Sequence, residues 1–237
     1  MDHSLCAERV GPVWEALVPV LATEEDLEQV RTNPLLRAHA CLEHVLADPA
    51  LSPELIVSVR VSLTFVLLHF REYRKALETA EQVIDSPEPP LNDTSEVSVS
   101  LRRHKAIARM YAAEAVCVLG DPRASMKFLA GEGDGDALDR LASDMAGGIT
   151  LNTADSNGES KRRLAQAQSM VRASASAATA AAGNLTAAKQ LAMSAQALED
   201  ANEANRVRSS ARRALVYCLL RGGNHAAALT MLRAMQN

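Results

Sequence analysis

The clearest pattern of apolar and polar positions lies in residues 101–129. In its first half an almost wholly apolar set of positions recurs at three- and four-residue spacing, which predicts an amphipathic helix. That set is Ile107, Met110, Tyr111, Glu114, Ala115 and Val118. Gly120 can take the left-handed conformation that closes a helix, while Asp121 can cap the next helix and Pro122 suits its first turn. The stretch therefore predicts a helical hairpin, meaning two antiparallel helices joined by a tight turn.

The same turn pattern occurs four times along the chain. Its anchor residues are Arg71, Gly120, Gly183 and Gly223. The residue after each anchor is polar, and in three of the four turns it can cap the following helix. Five residues beyond the anchors come the small residues Ala76, Ser125, Ala188 and Ala228, and nine beyond come Ala80, Leu129, Ala192 and Leu232. Repeated hairpins with a small residue where the helices pack are typical of tetratricopeptide-like arrays.

The spacing of the turns is irregular. Successive anchors are 49, 63 and 40 residues apart, more than the roughly 34 residues of a regular tetratricopeptide repeat. We therefore expect the units to carry insertions. The fold prediction is all-α, an α-α superhelix built as a tetratricopeptide-like solenoid.

Cap signals place the other predicted helices before the central hairpin. Residues 1–33 are predicted to form N-terminal helices that belong to a preceding repeat. Asn33-Pro34 and Ser52-Pro53 each combine a capping side chain with a proline at the first helical position, so a helix is predicted after each pair. The second of these helices is predicted to bury Leu55, among other apolar residues. Residues 34–237 are then predicted to form the solenoid.

Residues 131–160 are rich in Gly, Asp, Ser and Asn, which predicts a polar surface insertion. A short helix is predicted within it at Ala137–Ala146. After it, Lys161–Ala182 predicts an alanine- and serine-rich helix that pairs with Leu185–Asp200. The last hairpin is predicted over residues 203–236.

Composition narrows the class of protein. Hydrophobic residues make up 48% of the 237 residues, but aromatic residues only 3%. This bias favours closely packed helices over a β-sandwich, which needs β-branched and aromatic residues. The formal net charge of −4 gives no general attraction to nucleic acids or membranes.

The cysteines and the apolar segments indicate in which cellular compartment the protein is expected. Cys6, Cys41, Cys117 and Cys218 are scattered and form no CxxC pair, which predicts reduced thiols in a cytosolic or nuclear protein. The longest apolar run, residues 55–70, is too short to span a bilayer. The N-terminus shows no basic segment followed by an apolar stretch, so we expect no signal peptide.

No motif for catalysis, cofactor binding or metal binding survives inspection. The acidic, glycine-rich segment 131–136 matches neither a calcium-binding loop nor a dinucleotide fingerprint, so we interpret it as a solvated loop. His39, Cys41 and His44 share one predicted helix, but the first two face different sides and no second pair completes tetrahedral ligation. We therefore predict no enzyme activity, no cofactor and no metal ion.

Two features of the central helix suggested contacts. Glu114 lies in the apolar stripe, so we expect a buried or half-buried carboxylate hydrogen-bonded to a neighbouring repeat. Arg102, Arg103, Lys105 and Arg109 form a basic helix end, and our hypothesis is that they bind a protein partner. A merely solvated face is the plainer interpretation. RNA binding is the weaker one, because no aromatic residues are interleaved to stack on bases.

The central hairpin and its neighbours carry motifs in a particular order. Tyr111–Ala115 reads Tyr-Ala-Ala-Glu-Ala, and the apolar pair Phe128-Leu129 closes the second helix. A helix with the pattern ALxxAxxxI, at Lys75–Ile84, precedes them. The polar insertion and a hairpin at Ser160–Leu198 follow, and Ala211–Asn237 forms the last hairpin. In this order the motifs resemble the C-terminal tetratricopeptide region of CCR4–NOT complex subunit 10.

The resemblance extends over residues 35–237. It implies a non-catalytic scaffold subunit of the mRNA deadenylation machinery, located in the cytoplasm and also in the nucleus. It further implies that the repeat array binds subunit 11 and, together with it, scaffold subunit 1. The chain departs from the family in its alanine-rich hairpin, and it lacks the family's N-terminal repeats and long polar tail, which indicates a fragment or a shortened form.

Other classes of function remain open. A nucleic-acid-binding solenoid would use the same basic residues on phosphates, and its binding would weaken steeply with salt. A tetratricopeptide adaptor of another complex, such as a co-chaperone, would show Lys, Arg and Asn on successive first helices. The sequence does not supply such a set.

Overall fold

The structure, a computed structural model, describes residues 33–88, 93–131, 136–149, 158–201 and 210–236. Within these ranges it contains ten α-helices and no strand, so the all-α prediction is confirmed. None of the described helices is both long and apolar enough to cross a membrane. The helices predicted before residue 33 lie outside the described residues. The chain divides into two compact units, Met1–Ser86 and Pro87–Asn237.

The first unit contains α1 (Pro34–Leu46), α2 (Pro53–His69) and α3 (Tyr73–Ile84). The side chains of Asn33 and Ser52 cap α1 and α2 by accepting hydrogen bonds from first-turn amides, as their sequence positions predict. α2 packs against both α1 and α3, which explains why apolar residues occur on most of its surface. Leu55, in the first turn of α2, is exposed, so the prediction that it is buried is wrong.

The second unit contains seven described helices. They are α4 (Glu96–Val118), α5 (Pro122–Ala130), α6 (Ala137–Met145), α7 (Gly158–Ala181), α8 (Leu185–Ala201), α9 (Ser210–Arg221) and α10 (His225–Gln236). α4 pairs with α5, α7 with α8, and α9 with α10, while α7 and α8 both pack against α9. The two antiparallel helices predicted around Gly120 are therefore present, and the first of them begins at Glu96.

The four predicted turns share one backbone geometry. Their anchors all have positive φ: Arg71 at 61°, Gly120 at 99°, Gly183 at 94° and Gly223 at 76°. The amides of the anchor and of the next residue both donate back to carbonyls of the preceding helix, which closes its last turn. Asp121, Asn184 and Asn224 then cap the following helix through their side chains, whereas Glu72 makes no such bond. The prediction of three capping residues in four turns is confirmed.

In each hairpin the residue seven before the anchor and the residue five after it are both buried, and we call these two residues its crossing pair. These crossing pairs are Thr64 and Ala76, Ala113 and Ser125, Ser176 and Ala188, and Val216 and Ala228, and all eight residues are buried. In two hairpins a serine joins the helices: Ser125 Oγ donates to the Ala113 carbonyl oxygen, and Ser176 Oγ donates to that of Ala188, each over 2.7 Å. The hairpin is thus a repeated unit with a common packing point.

The segment predicted as a polar surface insertion contributes to the core. Its helix was predicted and is present as α6, but α6 packs against α4, α5 and α7. Its buried residues are Ala137, Leu141, Ala142 and Met145. The surface interpretation is therefore wrong for α6, because its few apolar residues fall on one helical face despite the polar composition around them.

The alanine- and serine-rich α7 is packed closely on several sides. Small side chains let α8 and α9 approach it, and Ala173, Ala175, Ala178 and Ala180 are all buried. At the other end of this group, Glu199 Oε1 accepts hydrogen bonds from Ser169 Oγ over 2.7 Å and from the Ala211 amide over 3.2 Å. Glu199 thereby holds the start of α9 against α7 and α8.

Candidate protein-interaction surface

The four basic residues predicted to bind a partner lie in the first half of α4, but they differ in exposure. Arg103 is exposed and Arg102 and Arg109 are half-buried, whereas Lys105 is only 5% exposed. Arg102, Lys105 and Arg109 are three and four residues apart, so they share one side of α4, whereas Arg103 lies on a different side. Their partner-binding role stays a prediction, and Arg103 is the residue most accessible for it.

Lys105 belongs to an ion pair. Its Nζ lies 2.9 Å from Oε1 of Glu88, whose side chain remains largely exposed. Because a buried ammonium group needs a partner, Glu88 stabilises the position of Lys105 in the packed side of α4. Binding by Lys105 to another molecule would have to break this pair.

Arg102 and Arg109 are also engaged within the fold. Arg102 Nη2 donates to the Asp93 carbonyl oxygen over 2.8 Å, and Arg109 Nε donates to the Phe128 carbonyl oxygen over 3.0 Å. Both guanidinium groups act on the Asp144 carboxyl of α6, opposing the larger effect of burial, which raises its pKa. These two arginines therefore connect α4 to the segment before it, to α5 and to α6.

The start of α4 is fixed by a second group of hydrogen bonds. The Asp93 carboxylate accepts from Ser98 Oγ over 2.6 Å and from the Ser95 amide over 2.8 Å, and these bonds lower the pKa of Asp93. Ser95 caps the helix by accepting from the Ser98 amide. The basic end of α4 is thus a structural network as well as a charged surface.

Glu114 does not lie where the sequence analysis placed it. The residue is exposed, so the prediction of a buried or half-buried carboxylate is wrong. The buried side of α4 instead includes Ala106, Ala108, Ala112 and Ala113. Alanines carry little hydrophobic weight in a periodicity argument, yet they mark the side on which helices approach most closely.

A polar cluster lies on the α6, α7 and α8 side of the second unit. Arg172 donates to Ser194 Oγ over 2.7 Å and to Asp139 Oδ1 over 3.1 Å, and Gln168 donates to the same carboxylate. Arg172, Ser194 and Asp139 border an open depression of ≈ 370 Å³. Its other lining residues are Leu138, Ala187, Gln190 and Leu191. The depression offers no nucleophile and base in contact, and its one arginine already bonds to an acid.

The remaining chemical candidates give no site within the described residues. His39 lies 3.4 Å from Glu43 and packs its ring against Phe70. Burial raises the pKa of the Cys41 thiol, which disfavours the thiolate that metal binding needs. No group of three potential metal ligands comes together in the described ranges. Most of the acidic, glycine-rich segment, residues 132–135, lies outside them.

An apolar surface on α9 and α10, which helical periodicity does not predict, is exposed to solvent. We call Leu220, Leu229 and Leu232 the α9–α10 face; they are 44%, 48% and 42% exposed, and Tyr217 of α9 is 36% exposed. These leucines add apolar positions to helices that already bury Val216, Cys218 and Ala228, and periodicity alone does not say which apolar side stays exposed. Exposed apolar groups of this kind mark interaction surfaces more often than isolated ones do.

No family model, no curated protein and no solved structure matches this chain.

Proposed function

We propose that this chain is a non-catalytic scaffold or adaptor subunit of the CCR4–NOT mRNA deadenylase complex, acting in mRNA decay and translational repression. The observation that supports it is the recurrence of one hairpin geometry four times, with the same turn and the same crossing pair. Such arrays bury each repeat against its neighbours and leave extended surfaces for protein partners. The order of the motifs around Tyr111–Ala115 and Phe128-Leu129 supports this particular family.

The finer parts of the proposal follow from the resemblance. The hairpins stack as a tetratricopeptide-like superhelix, and the array binds subunit 11 and, through it, scaffold subunit 1. The protein acts in the cytoplasm and also in the nucleus. It has no catalytic residues of its own and works by bringing other subunits together.

The arrangement of the basic residues favours protein binding over RNA binding. Arg102, Lys105 and Arg109 already bond to groups of the fold, so they are poorly placed to neutralise phosphates. Tyr111 is the one Phe, Tyr or Trp residue of α4, and it is buried, so it is not available to stack on a base.

The test is co-expression of the chain with subunit 11 of the same organism, followed by size-exclusion chromatography at low and high salt. We expect a one-to-one complex that persists at high salt, because an adaptor interface of this kind is mainly apolar. A chain that is folded and helical by circular dichroism, yet elutes alone, would remove the basis for this function.

The predicted role of the basic end of α4 is tested in the same assay. Arg103→Glu reverses the one basic residue of the set that is exposed, so it leaves the internal network of α4 intact. Arg123→Glu is the matched control, because Arg123 is also exposed but lies on α5. Weaker binding by Arg103→Glu alone supports a partner contact at this end, and equal binding by both variants places the contact elsewhere.

A further inference from the structure

The α9–α10 face occupies positions that are covered in the preceding hairpin. Counted from the anchors Gly183 and Gly223, Leu220 corresponds to Ala180, and Leu232 corresponds to Ala192. Both alanines are fully buried. The same two positions of the repeat are therefore buried in the α7–α8 hairpin and exposed in the α9–α10 hairpin.

On α7 and α8 these positions are buried by another helix, α9. Ala180 packs in one cluster with Cys218 of α9. Ala192 packs in another with Ala211, Ala214 and Leu215 of α9. The occupant of this position is thus a helix that presents small and aliphatic residues along one side.

The other hairpins follow the same rule. The residue nine beyond the anchor is fully buried in each of them, as Ala80 and as Leu129. The residue three before the anchor is buried as Leu68 and half-buried as Cys117. Leu220 and Leu232 are therefore exceptions to a pattern that the rest of the described chain keeps.

Charge adds a second property of the occupant. Residues 210–236 contain no Asp or Glu, and Arg213, Arg221 and Arg233 of the same two helices are exposed. Two copies of this hairpin would bring like charges together, so self-association through the face is disfavoured. A partner with acidic residues beside its apolar stripe would be favoured instead.

We propose that the α9–α10 face binds an amphipathic helix of a partner protein. The small and aliphatic stripe of that helix lies on Leu220 and Leu232, which correspond in position to the α9-covered Ala180 and Ala192 but carry larger side chains. Its acidic flanks pair with Arg213, Arg221 and Arg233. The proposal rests on the adaptor role proposed above and gives it a docking surface, but its test does not require subunit 11.

The probe is a stapled, fluorescent peptide that copies residues 210–221. It keeps the residues with which α9 packs on α7 and α8, and carries Glu at the positions of the arginines; a second peptide carries Lys there. Fluorescence anisotropy measures binding of each peptide to the full chain. The test variant is Leu220→Gln with Leu232→Gln. The control is Met193→Gln, which alters an apolar residue on α8 that is 55% exposed.

We expect the Glu peptide to bind the wild-type chain and the Lys peptide to bind at least about tenfold more weakly. Loss of the two leucines should weaken the Glu peptide about tenfold or more, as for central apolar contacts in other interfaces, while Met193→Gln leaves its affinity unchanged. The proposal is overturned if the wild-type chain does not bind the Glu peptide, or if the double variant binds it as well.

Two further measurements separate other occupants. Sedimentation with phosphatidylserine vesicles that depends on the leucines, without peptide binding, would assign the face to a membrane surface and overturn the proposal. Leucine-dependent dimerisation in size-exclusion chromatography would assign the α9–α10 face to a second copy of the chain and would also overturn the proposal. If the peptide binds but the chain forms no complex with subunit 11 on co-expression, the docking role of the α9–α10 face is supported and only the assignment to the CCR4–NOT complex is refuted.

Discussion

The crossing pair of the α7–α8 hairpin can be tested by enlarging one of its members. Ala188 is fully buried, and its carbonyl oxygen accepts the hydroxyl of Ser176 over 2.7 Å. Ala188 also packs with Ala180 and Cys218, so it meets both its own hairpin and α9. Ala188→Leu would place three additional carbon atoms where two neighbouring helices approach.

The expected loss follows from two effects. Overpacking a close helix crossing costs about 1–3 kcal/mol. Separation of the helices also weakens the Ser176 hydrogen bond, which contributes about 1 kcal/mol. We therefore expect Ala188→Leu to lower the free energy of unfolding by about 2–4 kcal/mol.

Lys189→Leu provides the matched control, because it introduces the same side chain one residue further along α8 at an exposed position. Its stability should stay within about 0.5 kcal/mol of wild type. Urea unfolding followed by far-ultraviolet circular dichroism gives both values. Equal stability of the two variants would refute the argument that the hairpins depend on a close crossing at this position.

Three further predictions concern stability. Leu129→Ala leaves a cavity at a fully buried position and should lower the free energy of unfolding by about 2–5 kcal/mol. Leu119→Ala, at an exposed position, should lower it by less than about 0.5 kcal/mol. Similar thermal midpoints of the two variants would contradict the assigned core. Arg71→Gly should stabilise by up to about 1 kcal/mol, since Arg71 has φ 61°, and a lower urea midpoint would count against this turn geometry. Burial raises the pKa of Tyr111 from 10.0 to about 12. Between these pH values the folded state keeps a proton that the unfolded state loses, so the free energy of unfolding should fall by about 2–3 kcal/mol as pH rises through this range. Tyr111→Phe should remove this part of the pH dependence, and an unchanged slope would show that the hydroxyl is not buried.

The sequence predicts the turns well because their geometry is local. Gly120, Gly183 and Gly223 permit positive φ, and the polar residue after each of them can cap the next helix. Both properties depend on one or two residues and not on distant contacts. The positions of the small crossing residues follow, because the turn fixes where the two helices meet.

The basic surface was harder to predict because its groups depend on contacts made across the fold. Lys105 is held by Glu88, and Arg109 bonds to the Phe128 carbonyl oxygen. The partners are 17 and 19 residues away along the chain. Periodicity places a residue on a helix but does not say which neighbouring elements cover it.

The buried side of α4 shows a second limit. Weighting large apolar residues placed Glu114 and Val118 on the buried side, and both are exposed. The helix instead packs largely through alanines, which allow close approach but give little hydrophobic signal. The α9–α10 face was missed for the opposite reason, since apolar residues on several sides of a helix do not reveal which side stays open.

The central claim is that this chain is a protein-binding adaptor, and titration calorimetry with purified subunit 11 tests it most directly. We expect one-to-one binding with a negative heat-capacity change, as burial of apolar surface requires, and we expect this binding to persist at high salt. Absence of binding by the folded chain, or binding seen only at low salt and displaced by RNA, would contradict it.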